Sequence, residues 1–175
     1  NEATDYVWVQ HEQAAAMAVD GVWRTTGSVG VTVVTSGPGA TNLLTGIACS
    51  WFDSIPAIHI AGQVNQRESA RALGVSVRQA GFQETDIVSV AAPLTKWAIQ
   101  VQSVSELAQT LPRALCIAQS GRMGPVLIDI PMDVQQEVCT PGDLEMAFTL
   151  QEDCEETTLR SAPATDLKDS LRSEE

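Results

Sequence analysis

The sequence predicts an α/β domain, a mostly parallel sheet doubly wound with helices on both faces. Short runs of alternating or β-branched apolar residues take turns with longer stretches of helical periodicity, and such regular alternation requires crossover connections between parallel strands. The chain has 175 residues, 44% of them hydrophobic and 18% charged. That supplies one buried core of ordinary size and hardly two.

Strands are predicted at residues 5–10 (DYVWVQ), 29–35 (VGVTVVT), 57–61 (AIHIA), 97–101 (WAIQV) and 126–130 (VLIDI), each apolar and rich in β-branched side chains. The first helix spans 12–26, where Ala15, Ala18, Val19 and Val22 recur at helical spacing and Gly27 stands as its stop. Residues 40–52 and 103–120 repeat the arrangement. Pro112 lies inside the latter and should kink it or begin its second half. From Pro141 onward the periodicity dissolves, so 141–175 is expected to be an acidic linker or tail behind a domain at 1–140.

The formal net charge is -12, from 22 acids and 10 bases. Ten of those acids and three bases fall within 143–175, a net -7 that leaves -5 for the rest. A surface of this sign repels phosphate backbones and offers no basic stripe, so nucleic acid is not expected as a partner. No apolar run approaches the eighteen or so residues of a spanning helix, and the opening residues lack a signal-peptide profile. The expected location is the cytoplasm, away from membranes. Cys49, Cys116, Cys139 and Cys154 are scattered without a C-x-x-C pair or histidines at ligand spacing, which argues against zinc and a disulfide framework. Cys49 and Cys116, inside apolar helical patterns, read as buried inert thiols.

Four segments carry the candidate chemistry. His11-Glu12-Gln13 joins the first predicted strand to the first helix, at the carboxyl edge where ligands of parallel sheets bind. An acid in the first turn of a helix is also a routine dipole partner. Thr35-Ser36-Gly37-Pro38-Gly39-Ala40-Thr41-Asn42 follows the most apolar strand, and its glycines allow close backbone approach to a ligand. It matches neither a phosphate loop nor a dinucleotide fingerprint. Gly62-Gln63-Val64 opens a long connection to Phe82-Gln83-Glu84 that contains Arg67, Arg71 and Arg78, and long connections at strand ends are usually functional or mobile. The fourth is Ser120-Gly121-Arg122-Met123-Gly124-Pro125, leading into VLIDIP.

Taken in order, HEQAAAMAVDGVWRTTG, VTVVTSGPGATNLLTGIACSWFDSIP, IAGQV, GFQETDIV, LTKWAIQV and SGRMGPVLIDIPMDVQ resemble the pyrimidine-binding (PYR) domain of thiamine diphosphate enzymes, and within it the acetolactate and acetohydroxyacid synthase group. The resemblance covers Val7 to Gln136. It implies that Glu12 touches the ring nitrogen of the cofactor's aminopyrimidine and activates the cofactor for attack on a 2-keto acid such as pyruvate. A carboxyl desolvated in an apolar cleft would favour its protonated form and could share that proton with the ring. Pro38 and Asn42 match residues packed beside the pyrimidine. Gln83, with Phe82, matches the pair facing the reacting centre, although a polar residue before a helix is an ordinary alternative. Arg122 matches an arginine that contacts flavin, so FAD is a possible second cofactor.

Departures from the pattern bear on function. Met132 stands where the synthases carry a lysine, and the connection from Gln63 to Phe82 is longer than theirs. Both point toward synthase-like relatives, including those that transfer an acetaldehyde unit to a keto-sugar. The family's opening strand and helix find no counterpart before Asp5, and no G-D-G…N segment is present to hold magnesium and the diphosphate. The chain is therefore expected to be an incomplete PYR domain, inactive alone and with no metal ligands of its own. Its active site would be completed by the PP domain of another subunit in a homodimer or tetramer. The small-residue helices around Ala14–Ala18 and Ala40–Ala48 are plausible contact faces. A non-catalytic, truncated PYR-like interaction module is the alternative reading.

Overall fold

A computed structural model describes the backbone of residues 6–161 and the side chains of residues 6–152. Four strands form one all-parallel sheet in the order β1-β2-β4-β3: β1 Gly30–Val34, β2 Ala57–Gln63, β3 Trp97–Gln100 and β4 Val126–Pro131. On one face lie α1 (Glu12–Thr26), α2 (Pro38–Asn42), α3 (Leu44–Phe52) and α5 (Ile87–Ala91). They enclose Ala16, Leu43, Ile47, Ala61, Ile87 and Leu127. On the other face α6 (Val104–Gln119) covers a second core built from Ile58, Val101, Ala114, Val126, Ile128 and Val134. The expected doubly wound α/β architecture is what the chain adopts.

Local rules set the element ends. His11 caps α1, its Nδ1 accepting the Gln13 N–H at 3.1 Å, and Gly27 at φ 71° closes the helix with its N–H on the Trp23 carbonyl. Close approach fixes two glycines in the layer between sheet and helices. A Cβ on Gly30 would stand 2.5 Å from the Val19 Cβ, and one on Gly46 would stand 2.3 Å from the Ala16 Cβ. α1 is thereby drawn against both β1 and α3.

Several expectations need correction. Tyr6 to Val9 are irregular and exposed, not part of a strand; among the described residues no neighbouring strand takes their backbone groups, and alternation alone does not make a sheet. The expected 40–52 helix is two: α2 begins earlier, at Pro38, and the Leu43 N–H folds back to the Ala40 carbonyl before α3 starts. α6 runs as one element through buried Pro112. The connection after β2 contains a short 3-10 turn at Gln66–Glu68 and the helix α4 (Ala70–Leu73), capped by the Ser69 hydroxyl. A further short helix, α7 (Met132–Gln135), follows β4.

The first part of the segment expected as an acidic linker or tail forms a helix, α8 (Pro141–Ser161), lying along α6, and residues 162–175 of that segment lie outside the described residues. Thr140 and Asp143 cap it reciprocally, the Asp143 carboxylate accepting the Thr140 N–H at 2.8 Å. Asp143, Ala147 and Leu150 are its half-buried stripe. Cys49 is exposed and Cys116 half-buried, so neither is the buried thiol expected. α3 turns Leu43, Ile47 and Ser50 inward, and Cys49 falls off that face. No helix among the described residues is long and apolar enough to cross a membrane.

Candidate functional site

Parallel strands end together at one edge of the sheet, and the loops after β1, β2 and β4 meet there. Glu12, in the first turn of α1, points its carboxylate at the loop after β1. The Asn42 side-chain amide donates to the Glu12 Oε2 at 3.0 Å. On the other carboxylate oxygen, a Cβ at Gly39 would stand 3.4 Å from Oε1 and 2.7 Å from the Thr35 methyl. The absent side chain lets the backbone of buried Gly39 pack close to both Thr35 and the acid. Pro38, the first residue of α2, is exposed next to Gly39.

Gln83 joins the same group from a distant part of the chain. Gly37, at φ 58°, packs against it so closely that a Cβ there would lie 2.7 Å from the Gln83 carbonyl oxygen and 2.8 Å from its Cβ. Gln83 itself has φ 57°, in the left-handed region that few non-glycine residues occupy. Three anchors hold it there. The Glu84 carboxylate accepts the N–H groups of Ala70, Ala80 and Gly81 at 2.8, 3.0 and 3.0 Å. Burial pushes that carboxyl up, but these backbone donors outweigh it and leave its pKa below the usual value. The Gln63 amide donates both to the Thr85 carbonyl at 2.8 Å and to the Asp129 carboxylate at 3.2 Å. Gly81 packs on Val64, which a Cβ would approach to 2.9 Å.

Asp129 lies beneath, on β4, 1% exposed. Burial raises its pKa to about 6 against the donated amides of Gln100 and Gln63, and its Oδ1 has no hydrogen-bond partner. Gln63 and Glu84 lie in the third candidate segment, where sequence reasoning assigned them no role of their own, and Thr85 and Asp129 were not singled out. The available signal was an acid within the otherwise apolar VLIDIP strand, since a buried acid needs partners.

Glu12, Pro38, Asn42 and Gln83 thus come together at the carboxyl edge. Arg122 does not join them. It sits before β4 at the amino edge, where its Nε donates to the Ser54 hydroxyl at 2.9 Å and a terminal nitrogen to the Phe52 carbonyl at 3.4 Å. The expected protonation of Glu12 is also corrected. The acid is half-buried, and the Asn42 donor, its own backbone N–H and nearby His11 outweigh desolvation and hold its pKa below the usual carboxylate value. Among the described residues, no three His, Cys, Asp or Glu side chains gather as a metal site.

Residues 1–90 match the family described as thiamine pyrophosphate enzyme, N-terminal TPP binding domain. The chain belongs to this family. Within it, the chain is 46% identical to the acetolactate synthase isozyme 2 large subunit of Escherichia coli over 148 residues, 85% of this chain and 25% of that protein. It is 50% identical to an acetolactate synthase of Arthrospira platensis over 126 residues, 72% of this chain and 20% of that protein. A chloroplastic acetolactate synthase 1 of Oryza sativa is 43% identical over 132 residues, 75% of this chain and 19% of that protein. The chain spans about a quarter or less of the length of these relatives. As a thiamine pyrophosphate enzyme domain, its donor set fits the cofactor's aminopyrimidine. One carboxylate oxygen is anchored by Asn42, the other lies beside the Gly39 backbone, and the exposed proline ring can lie on a flat heterocycle.

Proposed function

We propose that this chain forms the pyrimidine-receiving half of the active site of a thiamine diphosphate-dependent 2-keto acid carboligase or decarboxylase similar to acetolactate synthase, with pyruvate as a substrate. The carrying observation is the Glu12 carboxylate at the carboxyl edge, fixed by the Asn42 amide on one oxygen and beside the Gly39 backbone on the other. Thiamine diphosphate, when bound, supplies the nucleophilic carbon and the electron sink for keto-acid chemistry. Glu12 takes or shares a proton at Oε1 with the ring nitrogen, a charge-assisted bond that orients the cofactor. Asn42 fixes the rotamer of that acid, Pro38 offers an apolar ring to the heterocycle, and Gln83 faces the reacting centre from the loop held by Glu84 and Gln63.

The remaining parts of the reading lie outside this chain. Its described residues gather no metal-ligating cluster, and its charge of -12 does not favour a diphosphate. Magnesium and the diphosphate are assigned to a PP domain, contributed by another subunit of a homodimer or tetramer in the cytoplasm. Arg122, at the opposite edge, belongs to this site only through a flavin, and FAD remains part of the proposal on that footing alone.

The test is turnover of pyruvate by the full-length protein, with thiamine diphosphate and magnesium added or withheld. Wild type depends on both additions, and Glu12→Gln loses on the order of 10²-fold in turnover with an unchanged circular dichroism spectrum. Near-normal turnover in that variant overturns the assignment and leaves the non-catalytic interaction module as the better account.

A further inference from the structure

A second cavity opens at the same edge, beyond β2 and above the ends of β4 and β3. It encloses about 360 Å³ and is lined by Gln63, Gln66, Gln100, Gln102, Arg67 and Arg71, among others. That is the volume of a small-molecule pocket, yet its wall is made of amides and guanidinium groups.

The charges around it are arranged in one sense. Among the described residues no acid lines the cavity, and four acids behind its wall are engaged by backbone or amide donors: Asp133 by the Gln66 N–H, Glu84 by the Ala70 N–H, Glu106 by the Gln102 N–H, and Asp129 by the amides of Gln63 and Gln100. The cations are less engaged. Arg67 reaches Glu68 only at 3.9 Å, with both side chains exposed, and the Arg71 side chain has no hydrogen bond or ion pair within the described residues. In a chain of net charge -12, the charged side chains that line this cavity are the two guanidinium groups of Arg67 and Arg71. The amides add a second preference. Gln66 donates to the Gln102 carbonyl, and Gln102 to the Gln100 carbonyl, so their donors face the protein. The side-chain carbonyl oxygens of Gln66 and Gln102 accept nothing from the described residues, which suits a ligand that brings hydroxyl donors.

We propose that this pocket binds an anionic, hydroxyl-rich small molecule, a sugar carrying a phosphate or a carboxylate. Arg67 and Arg71 hold the anion, by the bidentate geometry that favours arginine at such groups, and Gln66 and Gln102 accept from the hydroxyls. The proposal requires neither thiamine diphosphate nor turnover, so its failure leaves the function of Glu12 untouched.

Calorimetric titration of the full-length protein tests it, with glucose 6-phosphate, glucuronate, glucose and inorganic phosphate as separate probes and no cofactor present. Glucose 6-phosphate or glucuronate saturates in the millimolar range or below, and the tighter of the two identifies the anion; glucose binds at least about 10-fold more weakly, as loss of one charge-assisted contact implies. Arg71→Gln weakens the sugar anion by about 10-fold or more, and Gln102→Leu weakens it without changing inorganic phosphate. Both positions are exposed, and an unchanged circular dichroism spectrum and thermal unfolding midpoint report that each variant is folded. Saturation by neither sugar anion, equal affinity for inorganic phosphate and glucose 6-phosphate, or unchanged affinity in Arg71→Gln overturns the proposal.

Discussion

His59 and Asp129, on the neighbouring strands β2 and β4, are both buried and both titrate away from their ordinary values, in opposite directions. Burial lowers His59 to about 4, with only the Thr32 hydroxyl on its Nδ1 at 2.9 Å, and raises Asp129 to about 6. The depressed histidine contributes stability above pH 6.5 that is lost as pH falls toward 4. The raised aspartate contributes stability below its unfolded value of 3.8 that is lost as pH rises toward 6. Each amounts to about 3 kcal/mol, and over the shared window they oppose one another. Asp129→Asn keeps an acceptor for Gln63 and Gln100 and removes only the titration. Urea unfolding should then show stability climbing more steeply with pH between 4 and 6.5 than in wild type, by up to about 3 kcal/mol across the window. An unchanged pH slope would mean that Asp129 is ionised in the folded chain. Such an effect is invisible in the sequence, because the burial of an acid depends on which face of β4 it occupies and what lies above it. Glu12 and Asn42 were legible because each sits in a compact motif whose order along the chain survives folding.

Among the elements, the meeting of α1 and α3 is the tightest, and Gly46 sets it. Gly46→Ala drives a methyl to 2.3 Å from the Ala16 Cβ, and overpacking of this kind costs roughly 1–3 kcal/mol. Ala16→Gly in the same chain should recover most of the loss, apart from about 1 kcal/mol of helix propensity, as read from thermal unfolding of the two single variants and the double. Additive losses would place the clash elsewhere. The regular elements that sequence revealed, α1, β1, β2, β3, β4 and α6, are those whose own periodicity faces the core. The stretch at 5–10 misled because a strand is defined by its neighbours. α8 stayed hidden because only the stripe of Asp143, Ala147 and Leu150 turns toward α6, and its acids obscure so narrow a pattern.

Across the molecule, the sheet separates two sets of residues that sequence order places side by side in the same family pattern. Glu12, Asn42 and Gln83 gather at the carboxyl edge, and Arg122 is tied to Ser54 and Phe52 at the amino edge. Parallel strands always carry alternate loops to opposite edges, so the separation follows from topology once β4 is known to follow α6 directly. Arg122→Ala should therefore leave thiamine diphosphate affinity unchanged in titrations of the full-length protein. Its cost in stability should stay within about 1 kcal/mol, since the lost bonds are exposed. A marked loss of thiamine diphosphate affinity would show that the two edges communicate.

The left-handed backbone at Gln83 also restricts how this position can vary. A library randomised at that codon would be filtered first by conformation: glycine, asparagine and aspartate would survive folding, while valine, isoleucine and threonine would be removed before any assay of turnover. Inactive β-branched clones would therefore say nothing about chemistry. Asparagine is the informative replacement, because it shortens the amide by one methylene while tolerating the same torsion angles.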